Sequence, residues 1–222
     1  MTMNTRQAFD KDLKDLADSL IQMGNAATTA VDQAMKALLT KDHVLAQEVI
    51  QADDQMDEME RAIEQKCLRL LLRQQPVAGD LRKISTAIKM ITDIERIGDA
   101  AADIAEISLQ LKAPVFSDML DDLTQMADIA KSMAQDAILA YVNEDLELAQ
   151  KTKERDDLVD DLFLKIRECL GEKIRTNTEL MHTAMDYLMI IKYLERVGDH
   201  AENICEWVEF YKTGVHKSER IL

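Results

Sequence analysis

The stretch Tyr193–Trp207 reads YLERVGDHAENICEW, and a hundred residues earlier Asp93–Glu106 reads DIERIGDAAADIAE. Each sets a glycine and a run of carboxylates inside an apolar repeat of helical spacing. In the earlier stretch the four-three stepping passes through Ile84, Ile88 and Ile91 and then reaches Glu95 and Gly98. In the later one it passes through Ala184, Leu188 and Ile191 and reaches Glu195 and Gly198. A glutamate thus stands where the pattern asks for an aliphatic side chain. Asp99 and Asp199 follow one turn on, Asp103 and Asn203 one turn beyond. Positions four apart share a helix face, so each stretch carries a rising stripe of oxygen ligands.

The doubling extends over the whole chain. From Phe9 the apolar residues Leu13, Leu16, Leu20, Met23, Ala27, Ala30, Ala34 and Ala37 mark a bundle helix of about eight turns. The series Phe116, Met119, Leu123, Met126, Ala130, Met133, Ala137 and Ala140 copies it at an offset of 103 residues. The turn TKDHVLAQ (40–47) recurs as NEDLELAQ (143–150), with Thr40 or Asp42 and Asn143 as expected N-caps. A second helix follows in each half, DQMDEMERAIEQKCLRLLL from Asp54 and DLVDDLFLKIRECLGEKI from Asp157. The first ends at RQQPVAGD (73–80), where Pro76 interrupts the pattern, and the second at RTNTE (175–179). KAPVFSD (112–118), around Pro114, joins the halves, with Ser117 or Asp118 expected to cap the fourth helix. The expected fold is all-α: two tandem pseudo-symmetric three-helix bundles, residues 1–112 and 113–222, each up-down-up and packed side by side.

Composition agrees. The 222 residues are 47% hydrophobic and 4% aromatic, with two prolines and six glycines, which fits long helices around a sizeable core. A net charge of −15 and the lack of a basic stripe exclude a nucleic-acid partner, and leave cations or basic protein surfaces. Cys67, Cys169 and Cys205 follow no pairing motif and read as core thiols of a reducing compartment. No stretch resembles a signal peptide or approaches the ~20 apolar residues of a membrane span, so a cytoplasmic location without membrane insertion is expected.

The stripes carry a thermodynamic penalty. Like charges four apart destabilise a helix by ~0.2–0.5 kcal/mol per pair, and an internal glycine costs ~1 kcal/mol relative to alanine. Counting through each hairpin shows what faces them. The second helix turns back near residue 77, which sets Asp54, Asp57 and Glu58 level with Glu95 and Asp99. A turn near residue 178 brings Asp157, Asp160 and Asp161 level with Glu195 and Asp199. Two opposed carboxylate faces repel one another unless cations or protons intervene. One reading is a site of hard oxygen ligands for magnesium, manganese, calcium or iron, with Asn203 offering an amide oxygen. The other is neutralisation by Arg96, Arg196 and nearby lysines, although each arginine leaves the helix ~100° away from its glutamate. Gly98 and Gly198 are expected to admit a neighbouring helix.

Other chemistries find no support. A ferritin-like di-iron centre needs Glu-x-x-His on two helices, and His200 points away from Glu195. His43, His182 and His216 fall near turns or termini and read as surface residues. No nucleophile–base pattern, P-loop or dinucleotide fingerprint occurs, so an enzyme is not expected. The thirteen methionines at helical spacing read as core filler rather than a peptide groove. Trp207, Phe210 and Tyr211 end the last helix and either pack back on the bundle or mark a docking surface.

The motifs ERIGD at Glu95 and ERVGDHAENI at Glu195, the turn RQQPVAGDLR (73–82) and the terminal ICEWVEFY (204–211) closely resemble the PhoU family. That resemblance covers nearly the whole chain and both repeats in order. It implies two three-helix bundles, a homodimer, and a negative regulator of bacterial phosphate uptake. Such a regulator would be cytoplasmic and peripherally associated with the ATPase of the phosphate ABC transporter and a membrane sensor histidine kinase. It also implies metal clusters, iron among them, on E/D-x-x-x-D motifs. Here these are Glu95 with Asp99, Glu195 with Asp199, Asp53 with Asp57 and Asp156 with Asp160. The competing class is a protein that stores iron or manganese.

Overall fold

The computed structural model describes residues 5–74, 76, 78–111, 116–216 and 219–220. Among the described residues seven helices form: α1 (Thr5–Thr40), α2 (His43–Gln74), α3 (Ala78–Gln110), α4 (Leu120–Asn143), α5 (Leu146–Lys153), α6 (Asp156–Thr176) and α7 (Met181–Thr213). A 3-10 turn at Thr178–Leu180 precedes α7, and the strands β1 (Val215–His216) and β2 (Glu219–Arg220) pair antiparallel after it. The fold is all-α, with α1–α3 forming one three-helix bundle and α4–α7 the other. The expected boundary at 112/113 and Pro114 lie outside the described residues.

The apolar stepping becomes the core as its period requires. Leu16, Leu20, Met23, Ala27 and Ala34 of α1 are buried, as are Leu123, Met126, Ala130, Met133 and Ala137 of α4. Buried residues from Phe9 to Val208 form one continuous cluster, because α3 lies along α7 and α1 along α4. Both pairs run antiparallel: Lys131 of α4 pairs with Asp32 of α1 at 2.5 Å, and Thr86 of α3 donates to the carbonyl of Trp207 on α7 at 3.4 Å.

The turns repeat down to backbone conformation. Lys41 (φ 55°) and Glu144 (φ 57°), 103 residues apart, both occupy the left-handed region. Asp42 Oδ1 accepts from the amides of Val44 and Leu45, and Asp145 Oδ1 from that of Leu148. The second cap is therefore Asp145 rather than Asn143, since Asn143 still belongs to α4. Thr40 likewise stays in α1, its hydroxyl donating to the carbonyl of Lys36. α4 has no side-chain cap; Asp118 pairs instead with Lys173 of α6.

The copies diverge in their second helix. α2 runs unbroken from His43, well before Asp54, whereas its counterpart is split at Glu154–Arg155. The split residues stay near helical angles but bond with 3-10 spacing, Arg155 N–H to the carbonyl of Thr152. The Arg155 guanidinium holds the bend by reaching Asp136, Ser132 and Thr152. The corresponding first-half residues are Ala52 and Gln33, which cannot form that clamp.

The aromatic terminus packs. Phe210 is buried, Trp207 stacks on His216 with centroids 3.9 Å apart, and Tyr211 donates to Glu144 at 2.6 Å. His216 is therefore largely covered, not a surface residue. Cys67 and Cys205 are buried free thiols, pushed up to about 12 by burial, while Cys169 is only half-buried.

Glu144 also accepts from Lys83 of α3 at 2.8 Å and Lys212 of α7 at 3.0 Å, so one carboxylate joins both bundles. Its hydrogen bonds from Lys83 and Tyr211 hold it down at about 2. A depressed carboxyl contributes stability above its unfolded value of 4.5, and that contribution is lost as pH falls through about 2. The thermal midpoint of Glu144→Gln should lie below wild type at pH 7 and converge with it towards pH 2, as read by circular dichroism.

Candidate functional site

The carboxylate stripes ride on α3 and α7, and the helices opposite them are α2 and α6. Both pairs come close at a glycine. A Cβ on Gly98 would lie 3.0 Å from Met56 Cγ, and one on Gly198 would lie 2.9 Å from Asp156 Oδ1. The two glycines therefore admit the facing helix, as their repeated placement suggests.

On the first face Asp53, Asp57 and Glu60 of α2 meet Glu95, Asp99 and Asp103 of α3. The Glu95 carboxyl is pushed up to about 7, chiefly by burial and then by Asp99, with Glu60 and Asp57 adding and Arg96 opposing. Asp53 is raised by burial and by Asp99, Asp57, Asp54 and Asp103. On the second face Asp156 is pushed up to about 7 by burial, then by Glu202, Asp160, Asp199 and Glu195. Asp160 and Asp199 are also raised, each first by burial and then by Glu195.

The inner membership differs from the hairpin count. Asp54, Glu58, Asp157 and Asp161 are exposed, whereas Asp53, Glu60 and Asp156 turn inward. Glu60 and Glu202 escaped the pattern because each has no acid at its repeat partner, which is Phe163 and Ala102 respectively. The available clue was their spacing, three residues beyond Asp57 and Asp199. Glu60 is further tied to the opposing helix, accepting from the Thr92 hydroxyl at 3.0 Å.

Positive groups reach these faces too. Arg96, despite its 100° offset, folds back along α3 to Asp99 at 2.7 Å, with its Nε 3.3 Å from Glu95 Oε2. A long flexible stem overrides the direction of its Cα–Cβ bond. On the other face Lys192, not Arg196, pairs with Glu195, and Arg61 pairs with Asp57 on the first. Ion pairing is thus partial: Glu95 Oε2 is buried and accepts no hydrogen bond.

The third rung leaves the faces for the seam between bundles. Asn203 Nδ2 donates to Asp93 Oδ1 of α3 at 3.4 Å, and His200 Nδ1 lies 2.9 Å from the same oxygen. Asp103 hydrogen-bonds Tyr193 of α7 while still adding to the field at Asp53. Asp93 and Tyr193, like Asp103 and Asn203, are repeat partners, so the seam uses the same two positions twice. Asn203 is accordingly separated from the acids of α6.

Among the described residues no three His, Cys, Asp or Glu side chains stand grouped tightly enough to hold an ion as they are. The donor chemistry nonetheless suits a hard cation: all-oxygen ligands, two carboxyls near pH 7 and one buried oxygen that accepts no hydrogen bond. A raised carboxyl contributes stability below its unfolded value, and the contribution is lost as pH climbs through the folded one. For Glu95 the window runs from 4.5 to about 7, and for Asp156 from 3.8 to about 7. Metal-free protein should therefore melt at a lower temperature at pH 8 than at pH 5.5. Added manganese or magnesium should restore the loss at pH 8 and do little at pH 5.5.

Fold and faces together define a duplicated three-helix bundle presenting one carboxylate face per copy. The chain matches the PhoU domain at residues 20–108 and again at 123–208, once in each bundle. A phosphate-specific transport system accessory protein PhoU homolog of Clostridium acetobutylicum is 37% identical, covering 95% of this chain and 96% of that one. Its homolog 1 in Thermotoga maritima is 36% identical, covering 95% and 91%. The crystal structure of PhoU from Pseudomonas aeruginosa superposes with a TM-score of 0.88 at 32% identity, covering 93% of this chain and all of that one. The chain belongs to the PhoU family.

Proposed function

We propose that the protein is an accessory regulator of phosphate transport that represses uptake and phosphate-starvation signalling. Its match in both repeats to proteins named as accessories of a phosphate-specific transport system carries this reading. It acts as a non-catalytic, cytoplasmic homodimer linking the ATPase of the phosphate ABC transporter to the membrane sensor histidine kinase. Among the described residues no helix is long and apolar enough to cross a membrane, which accords with association through partners.

The carboxylate faces are the binding element. Asp53, Asp57, Glu95 and Asp99, bordered by Asp103, would hold one hard cation or cluster. Asp156, Asp160, Glu195 and Asp199 would hold another, with iron, manganese, magnesium and calcium as the candidate metals. A bound cation supplies positive charge between α2 and α3, or α6 and α7, where opposed carboxylates otherwise repel. The Glu95 oxygen that accepts no hydrogen bond and the raised carboxyl of Asp156 favour this role.

The double variant Glu95→Gln, Glu195→Gln keeps side-chain volume and removes two charges. It should lower metal content by elemental analysis and derepress a phosphate-starvation reporter in high phosphate. Unchanged metal and unchanged repression would refute a regulatory role for these faces. The competing reading, storage of iron or manganese, expects a deletion strain to change in metal tolerance while its phosphatase stays repressed.

A further inference from the structure

α7 leaves an apolar stripe bare where the fold does not need one. Met181, Met185 and Met189, one turn apart, are 42%, 54% and 45% exposed. Met23, Met90, Met126 and Met133 fill the core, so the expectation that methionine serves only as core filler fails at this stripe. The repeat supplies an internal control. The same positions on α3 are Leu81, Ser85 and Lys89, so a bundle of this architecture forms with a mostly polar stripe there. There Leu81 and Lys89 are also exposed, and the Lys89 ammonium lies 5.8 Å from the Trp207 ring, which stacks on His216.

The neighbouring helix α6 runs alongside this stripe. Asp156 contacts the Gly198 position and Lys192 lies over the Phe163 ring, a register that sets Gly171 of α6 level with Met185. Gly171 is exposed mid-helix, and a Cβ there would meet nothing within 4 Å. Internal packing therefore does not account for a residue that costs a helix ~1 kcal/mol relative to alanine. It leaves the α6 surface between Arg167 and Ile174 without a side chain, level with Met185 by the same register. Leu164, also exposed, borders this surface.

Charge selects the occupant. In a chain of net charge −15 the far end of this stripe carries Lys192 and then Arg196, and its flank carries Arg167. Among the described residues Arg167 and Arg196 make no ion pair; Arg167 lies over Phe163 at 5.8 Å, while Lys192 is shared with Glu195. Flexible, polarizable methionines beside a neighbouring helix accommodate the apolar face of an incoming helix, and anchors at i, i+4 and i+7 span nearly the same two turns as their steps of four and four. We propose that the α6–α7 surface binds an amphipathic helix of a partner protein, seating aliphatic anchors on Met181, Met185 and Met189 and acidic residues on Arg167, Lys192 and Arg196. This deepens the adaptor reading and rests on it only for the existence of a protein partner.

The test uses the full chain and a labelled synthetic helix of about 18 residues, with leucines at i, i+4 and i+7 and glutamates on its flanks and one end. Saturable binding by fluorescence anisotropy is expected, weakened about tenfold or more by Met185→Glu with Met189→Glu. Gly171→Leu should also weaken it while leaving the thermal midpoint unchanged or raised, because leucine is the better helix former. A peptide with lysine for glutamate should bind more weakly. Absence of saturable binding, equal binding of the lysine peptide, or indifference to both variants would overturn the proposal. So would a dimer in sedimentation equilibrium that Met185→Glu dissociates, which assigns the surface to a second copy. Binding to phosphatidylglycerol vesicles that the same variant abolishes would assign it to a membrane and overturn the proposal too. If peptide binding fails while Glu95→Gln with Glu195→Gln still derepresses the reporter, this inference falls and the adaptor reading stands.

Discussion

The constraint behind the whole arrangement is that carboxylates are held opposite one another by packing that ignores their charge. At Gly98 the α3 backbone comes so close to Met56 that a Cβ would lie 3.0 Å from its Cγ, and at Gly198 the α7 backbone meets Asp156 and Val159. Met56, Ile94, Ile97, Val159, Leu194 and Val197 are buried around these points. Two like charges 4 Å apart repel by ~4 kcal/mol at the effective dielectric of a protein surface. Burying a single such side chain yields ~1.5–3 kcal/mol, so a few of them outweigh the repulsion. The helices stay together, and the charge must be answered in place by a proton, by a basic side chain or by a metal ion. Glu95 shows the first two at once: a carboxyl raised to about 7 and an arginine 3.3 Å away, while its Oε2 accepts no hydrogen bond.

Duplication gave two copies of this device, and the copies have since exchanged parts. Acid is supplied from α2 by Glu60 on one face and from α7 by Glu202 on the other, with Phe163 and Ala102 at the vacated positions. Neutralisation comes from Arg96 on the first and from Lys192 on the second. Each face thus keeps an excess of carboxylate while the residues providing it change. The outer surfaces differ more: the stripe of Met181, Met185 and Met189 has no apolar equivalent on α3 beyond Leu81.

Neither bundle stands alone. The antiparallel packing of α3 on α7 and of α1 on α4 merges the cores, and the third rungs of both stripes are used in that seam. Asp103 reaches Tyr193, and Asn203 shares Asp93 with His200. Glu144, in a left-handed turn, collects Lys83 from one bundle and Tyr211 and Lys212 from the other. A change at one face therefore acts on a helix that is also part of the seam, so the two bundles are not independent modules.

Periodicity and repetition determined the helices, their duplication, the all-α class and the close approach at both glycines, because those depend on local spacing and on the pattern of burial. Glu95 with Asp99 and Glu195 with Asp199 were also legible, since residues four apart share a face in any helix; Asp53 with Asp57 and Asp156 with Asp160 came only from the family resemblance. Which neighbouring acids turned inward was not: the hairpin count chose Asp54 and Glu58 where the packed helix presents Asp53 and Glu60, a rotation that only the fit of α2 against α1 and α3 settles. Tertiary structure likewise decided that Arg96 folds back onto its own stripe, that Asn203 belongs to the seam, that Arg155 bends the second copy and that three methionines remain outside the core. Each of these turns on where a flexible side chain finds its partner across a helix boundary, and no one-dimensional spacing encodes that distance.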